Sequence, residues 1–169
     1  MTVTQVETPT PTPSRMVAWY PWLTIASRLV LAVVWIYASV TKIDRPTTSA
    51  RAVQAYQLFS FDLAAMIGQS LPIVELALGV LLLVGLFTRP SGFISAVLLV
   101  FFIIGIGSAW ARGLRIDCGC FGGDGSLAPG ADPSYWVEIV RDMAFLVCAG
   151  WLCWRPESHW SVDRLIDNR

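Results

Sequence analysis

Charged side chains are scarce in this chain. Asp, Glu, Lys and Arg together make up 14% of its 169 residues, against about a quarter in an ordinary soluble domain. Neither sign is in excess, since 12 basic residues stand against 12 acidic ones. No global basic field is therefore available to hold a nucleic acid, and that class of partner is set aside. Histidine occurs once, as His159, so the usual Cys/His zinc sets have little to draw on and no metal is expected. A secretory leader is also missing from the expectation. Residues 1–18 are a Thr/Pro tract with Arg15 as the one basic residue, and no apolar stretch follows at the usual distance. The first long apolar run is too long for a signal core and is expected to stay as an uncleaved anchor.

What is abundant is apolar: 55% of the residues, with a mean hydropathy of +0.60. A chain of this length holds one domain, and the charge deficit points to lipid as its solvent. Crossing a hydrocarbon core takes about 20 mainly apolar residues, and four runs meet that need: 20–41, 63–87, 92–111 and 135–154. Each is apolar nearly all round, as spanning helices are. The expected fold is an all-α integral membrane bundle of four transmembrane helices, residues 19–155, between a disordered tail (1–18) and a polar tail (156–169). Thr88-Arg89-Pro90-Ser91 reads as a tight turn that makes the second and third runs antiparallel neighbours. Ala50, Val53, Tyr56, Gln57 and Phe59 suggest a short interfacial helix, and Gly79, Gly85, Gly105 and Gly107 suggest close helix contacts. Charge bias leaves the orientation open. Arg15, Arg89, Arg155, Arg164 and Arg169 fall on the side of the termini, and Lys42, Arg45, Arg51, Arg112 and Arg115 on the other.

The third connection, 112–134, is rich in glycine and carries Asp117-Cys118-Gly119-Cys120-Phe121-Gly122. Loops this long and unusual are where function concentrates. Two cysteines flanking one glycine can close a small, strained disulfide ring, and strained exposed disulfides are the exchanging ones. Arg115 would favour the reactive thiolate while Asp117 opposes it. Dithiol–disulfide exchange leads, beside three other readings: part of a zinc site, a fixed structural clip, or free cysteines without a role. Cys148 and Cys153 lie in the fourth run. Cys148 is about 20 Å along the helix from its start, too deep to partner the loop pair, and both read as buried and unreactive.

Four ionisable residues fall where lipid should exclude them: Arg28, Glu75, Arg141 and Asp142. Each costs at least about 2.5–3.5 kcal/mol at mid-bilayer unless it faces the bundle and is paired. With every helix centred in the bilayer, they lie within about one helical pitch of each other in depth. A single network is therefore expected, either as a device that fixes helix register or as a functional centre for protons or a polar head group. Lys42, at the loop-side end of the first run, is expected to snorkel to the interface. Pro72 is expected to kink the second run and free a carbonyl.

These features resemble the DoxX-like membrane proteins and, within them, the MauE family of methylamine utilisation. The resemblance rests on Arg28, Lys42-Ile43, Leu71-Pro72-Ile73-Val74-Glu75-Leu76-Ala77-Leu78-Gly79, Cys118-Gly119-Cys120-Phe121-Gly122 and Arg141-Asp142. It implies a multi-pass protein of the plasma membrane that supports disulfide formation in the small subunit of methylamine dehydrogenase beside a thioredoxin-like partner. A membrane quinone is the cofactor it implies, with Cys118 and Cys120 as the catalytic pair. It also implies that the Cys118 loop is extracytoplasmic and both termini cytoplasmic, since disulfides are made outside the reducing cytosol. The rival function is a non-catalytic membrane subunit or small-solute carrier in which the cysteines are a clip.

Overall fold

The computed structural model describes residues 19–155; the Thr/Pro tract, the polar tail and His159 lie outside the described residues. The described residues form five α-helices and no strand: α1 Tyr20–Ile43, α2 Pro46–Ala55, α3 Phe61–Val84, α4 Thr88–Ala111 and α5 Tyr135–Trp154. Helices α1, α3 and α4, each of 24 residues, are long and apolar enough to cross a membrane. At 1.5 Å per residue each spans about 36 Å, more than the roughly 30 Å of hydrocarbon. Helix α5 stands outside that set because its 20 residues include Glu138, Arg141 and Asp142.

Polarity in the bundle is arranged for a lipid solvent. Its outward faces carry Val33, Ile73, Phe101 and Val147, each 63–70% exposed. Its interior holds Thr24, Ser39, Glu75, Thr88 and Ser95, all fully buried. Water as solvent would reverse the pattern. Leu31, Trp35, Leu78, Leu82, Leu99 and Leu152 form the apolar centre, and the Trp35 indole N–H crosses it to donate to Ser95 Oγ at 3.0 Å. At one end, Thr24 donates to the Arg155 carbonyl at 3.0 Å and accepts from the Trp151 indole at 3.1 Å. The start of α1 therefore lies beside the end of α5.

Several local expectations change. The turn between α3 and α4 is Gly85-Leu86-Phe87, with Gly85 and Phe87 left-handed (φ 74° and 51°), while Thr88 to Ser91 already belong to α4. Pro90 fits there because the first turn of a helix leaves its N–H groups unbonded anyway. Despite that short turn, α3 and α4 meet only sparingly; α3 lies chiefly on α1 and α2, and α4 on α5. Helix α2 forms, but it ends before Gln57 and Phe59, and it seats Ser49, Ala50 and Ala52 inward. The backbone of α3 continues through Pro72, whose carbonyl accepts from Ser39 Oγ at 2.7 Å.

Close helix approach uses glycines other than most of those expected. A Cβ on Gly68 would lie 2.5 Å from the Ser49 carbonyl, on Gly79 2.6 Å from Ile36 Cγ1, and on Gly92 2.9 Å from Leu152 Cβ. Gly85 is instead a helix cap, Gly105 meets the Tyr56 ring at an ordinary 3.5 Å, and Gly107 has nothing within 4 Å. Gly68→Ala should therefore lower stability by about 1–3 kcal/mol through overpacking of backbone on backbone. Gly107→Ala should be neutral or slightly stabilising. Thermal unfolding of the two variants in detergent checks this, and equal melting temperatures would contradict the close α2–α3 contact.

Candidate functional site

The Cys118 loop is docked on the bundle end by small residues. Gly119 is left-handed (φ 67°), and a Cβ there would lie 2.6 Å from Ala52 Cβ of α2. A Cβ on Gly125 would meet Ala55 at the same distance, and one on Gly122 would lie 3.0 Å from the Thr41 carbonyl at the end of α1. The Gly-rich sequence thus serves close approach of the loop to the bundle. Tyr135, first residue of α5, holds the stem: its hydroxyl accepts from the Ile116 N–H at 3.0 Å and donates to the Leu114 carbonyl at 2.5 Å. Just past the end of α2, the Tyr56 hydroxyl donates to the Cys118 carbonyl at 3.0 Å, and Arg112 donates to the Tyr56 carbonyl. Burial, and then the two cysteines, push the Tyr56 phenol well above its ordinary range, so its O–H stays available to donate.

Cys118 and Cys120 are unbonded thiols held side by side. The Cys120 N–H donates to Cys118 Sγ at 3.3 Å, and the Cys120 thiol donates to the Cys118 carbonyl at 3.9 Å. The adjoining Cys120 thiol, with help from the Cys120 N–H and from Arg141, holds the Cys118 thiol below the ordinary thiol value against burial and Glu138. The Cys118 thiol, together with burial, holds Cys120 well above it. The two sulfurs are thereby unequal, Cys118 being the more readily ionised.

The charges around the pair come from one face of α5. Tyr135, Glu138 and Asp142 recur at the helical spacing that puts them on one side. A Glu138 carboxylate oxygen lies within 4.8 Å of Cys118 Sγ. Arg141 Nε donates to Asp142 Oδ1 at 3.0 Å, and its guanidinium lies 4.7 Å from the Phe121 ring centroid. Phe121 in turn stacks on Tyr37 of α1. Arg115, the cation expected beside the thiols, pairs instead with Asp132 at 3.0 Å, both side chains exposed. Arg141 takes that place because α5 passes directly beneath the loop. Donor atoms of Asp117, Cys118 and Glu138 lie within 4.8 Å of one another, one fewer than the four of a closed zinc site. Cys148 is packed against the apolar core, and neither it nor Cys153 is bonded to another cysteine.

Two ion pairs hold intramembrane charges. Glu75 Oε1 bonds Lys42 Nζ at 2.7 Å, and Asp142 bonds Arg141. Glu75 and Asp142 are each held by a different cation, and Arg28 is buried on α1 at 4% exposure. Lys42 does not snorkel; it is 4% exposed. Side chains tilt toward the N-terminus of their helix. Lys42, at the end of α1, therefore points back into the bundle, while Glu75, on antiparallel α3, points up to meet it. Glu138, Lys42 and Tyr56 are the site residues that sequence reading missed. The recurrence of Tyr135, Glu138 and Asp142 was the available signal for Glu138.

Lys42→Met alone strands the Glu75 carboxylate and should cost about 3–5 kcal/mol, whereas Lys42→Met with Glu75→Leu should recover most of that loss. Thermal unfolding in detergent measures both, and a single variant as stable as the parent would sink the pairing.

The chain matches the family described as methylamine utilisation protein MauE over residues 20–155. No curated protein and no solved structure matches it. With most of its length covered, the chain belongs to the MauE family.

Proposed function

We propose that this member of the MauE family is a membrane thiol–disulfide redox protein, with Cys118 and Cys120 as its exchanging pair and an extracytoplasmic thioredoxin-like protein as its partner. The observation that carries this reading is the unequal thiol pair, hydrogen-bonded side by side between Glu138 and Arg141 on a docked loop. In this reading Cys118 attacks a partner disulfide, a mixed disulfide forms, and Cys120 resolves it by attacking Cys118 Sγ. The partner's disulfide is reduced to two thiols and the pair is oxidised to a disulfide; the reverse sequence makes a disulfide in the partner. The family's description concerns methylamine utilisation, and the client would be a protein of that process whose disulfides are needed.

Helix α5 is the fourth crossing in this proposal, within the wider DoxX-like group. The Thr24–Arg155 contact, which sets the start of α1 beside the end of α5, supports it, as does the pairing of Arg141 with Asp142. Both termini would then be cytoplasmic and the cysteine loop would lie outside the plasma membrane, where disulfides persist. A membrane quinone is the proposed redox cofactor. A cleft of about 500 Å³ beside Lys42, lined by Ile43, Met66, Gln69, Pro72 and Ile73 among others, has apolar walls. The Gln69 amide would supply a donor for a carbonyl oxygen there, so the lining fits such a ring. Bound there, the quinone would accept or return the two electrons of the dithiol.

The test is to trap the redox state in intact cells with permeant and impermeant alkylating reagents. A pair found partly reduced, reached by the impermeant reagent, with a mixed disulfide accumulating through Cys118 in Cys120→Ser, is the expected result. A pair always oxidised that tolerates replacement of both cysteines by serine would make it a structural clip in a non-catalytic subunit.

A further inference from the structure

The exchange needs a place for a proton, and the site offers three carboxylates. Asp142 is ion-paired with Arg141. The Asp117 carboxylate lies so close under Gly123 that a Cβ there would overlap its Oδ2. Glu138 has a carboxylate oxygen within 4.8 Å of Cys118 Sγ, it has no salt bridge among the described residues, and its Oε2 is buried without a hydrogen-bond partner there. The carboxylate thus sits beside the reacting sulfur with Oε2 open to a proton.

Building on the exchange reading above, we propose that Glu138 carries the proton of the reaction. As Cys118 Sγ attacks a disulfide sulfur, Glu138 takes the Cys118 proton. The disulfide breaks, the electron pair goes to the departing sulfur, and Glu138 gives that sulfur the proton. Cys120 then attacks Cys118 Sγ, closing the Cys118–Cys120 bond, and the Cys120 proton ends on the second released sulfur. Two thiols are oxidised and one disulfide is reduced, with protons conserved. The groups facing this pair are Tyr56 from just past the end of α2, Asp117 and Cys120 from the loop, and Arg141 and Asp142 from α5. From α1, Tyr37 reaches Phe121, and at the end of α4 Arg112 is bonded to the Tyr56 carbonyl. Arg141 is the one cation among the groups that act on Glu138, and it is already shared with Asp142.

Two rates measured on the full chain in detergent test the assignment: alkylation of Cys118 by iodoacetamide against pH, in a Cys120→Ser background, and oxidation of the parent dithiol by glutathione disulfide at neutral pH. Glu138→Gln removes a negative neighbour, so the alkylation profile should move down by about one pH unit. It also removes the proton carrier, so glutathione oxidation should slow by about a hundredfold even though thiolate is more plentiful. Glu138→Asp should restore part of the oxidation rate. Opposite movement of the two rates is the signature. Both rates rising would make Glu138 a mere electrostatic neighbour, both falling would make it structural, and an unchanged profile would mean the carboxylate is not at the sulfur; each overturns the proposal. Failure of the parent itself to react with glutathione disulfide or to form a mixed disulfide would instead remove the exchange reading on which it rests.

Discussion

A polar side chain inside hydrocarbon has no water to bond, so it must find its partner within the protein or stay out. Most of this architecture follows from that constraint. Ser39 bonds a backbone carbonyl of α3, Ser95 takes the Trp35 indole across the bundle, and Thr24 links the start of α1 to the end of α5. Lys42 and Glu75 pair with nearly no exposure of either side chain. Such a pair adds little net stability over an apolar substitute, but a mismatch is costly, so it specifies how α1 and α3 register against each other.

The same constraint explains where reactive groups gather. The cysteine loop leaves the bundle but is not free of it, because Gly119, Gly122 and Gly125 bring its backbone against Ala52, Thr41 and Ala55. Tyr56 and Tyr135 tie it by hydroxyl bonds. That docking presses two thiols against the polar face of α5, where Glu138 and Arg141 act on them together. Helix α5 carries more charged residues than α1, α3 or α4 because it bears that face.

Much of the design could be read from the order of residues alone. Hydropathy and run length located the long apolar helices within a few residues. Gly and Cys density singled out the 112–134 loop, and the motif set pointed to the MauE family that the match over residues 20–155 shows. These are properties repeated or concentrated along the chain, and lipid acts on them locally, one segment at a time. Boundaries were less legible: Pro90 looked like part of a turn, yet it sits in the first turn of α4, where its missing N–H costs nothing.

Tertiary structure decided which groups meet. The sequence determined that Glu75 and Asp142 need cations, but only the antiparallel setting of α1 against α3, with side chains tilted toward their helix N-termini, selected Lys42 for Glu75. Arg115 is three residues from Cys118 in the chain and bonds Asp132, whereas Arg141, far along the chain, acts on the thiols. Which glycines carry helix contacts was likewise set by the crossing points of helices. Pairing depends on reach and direction in three dimensions, and neither is encoded in spacing along the chain.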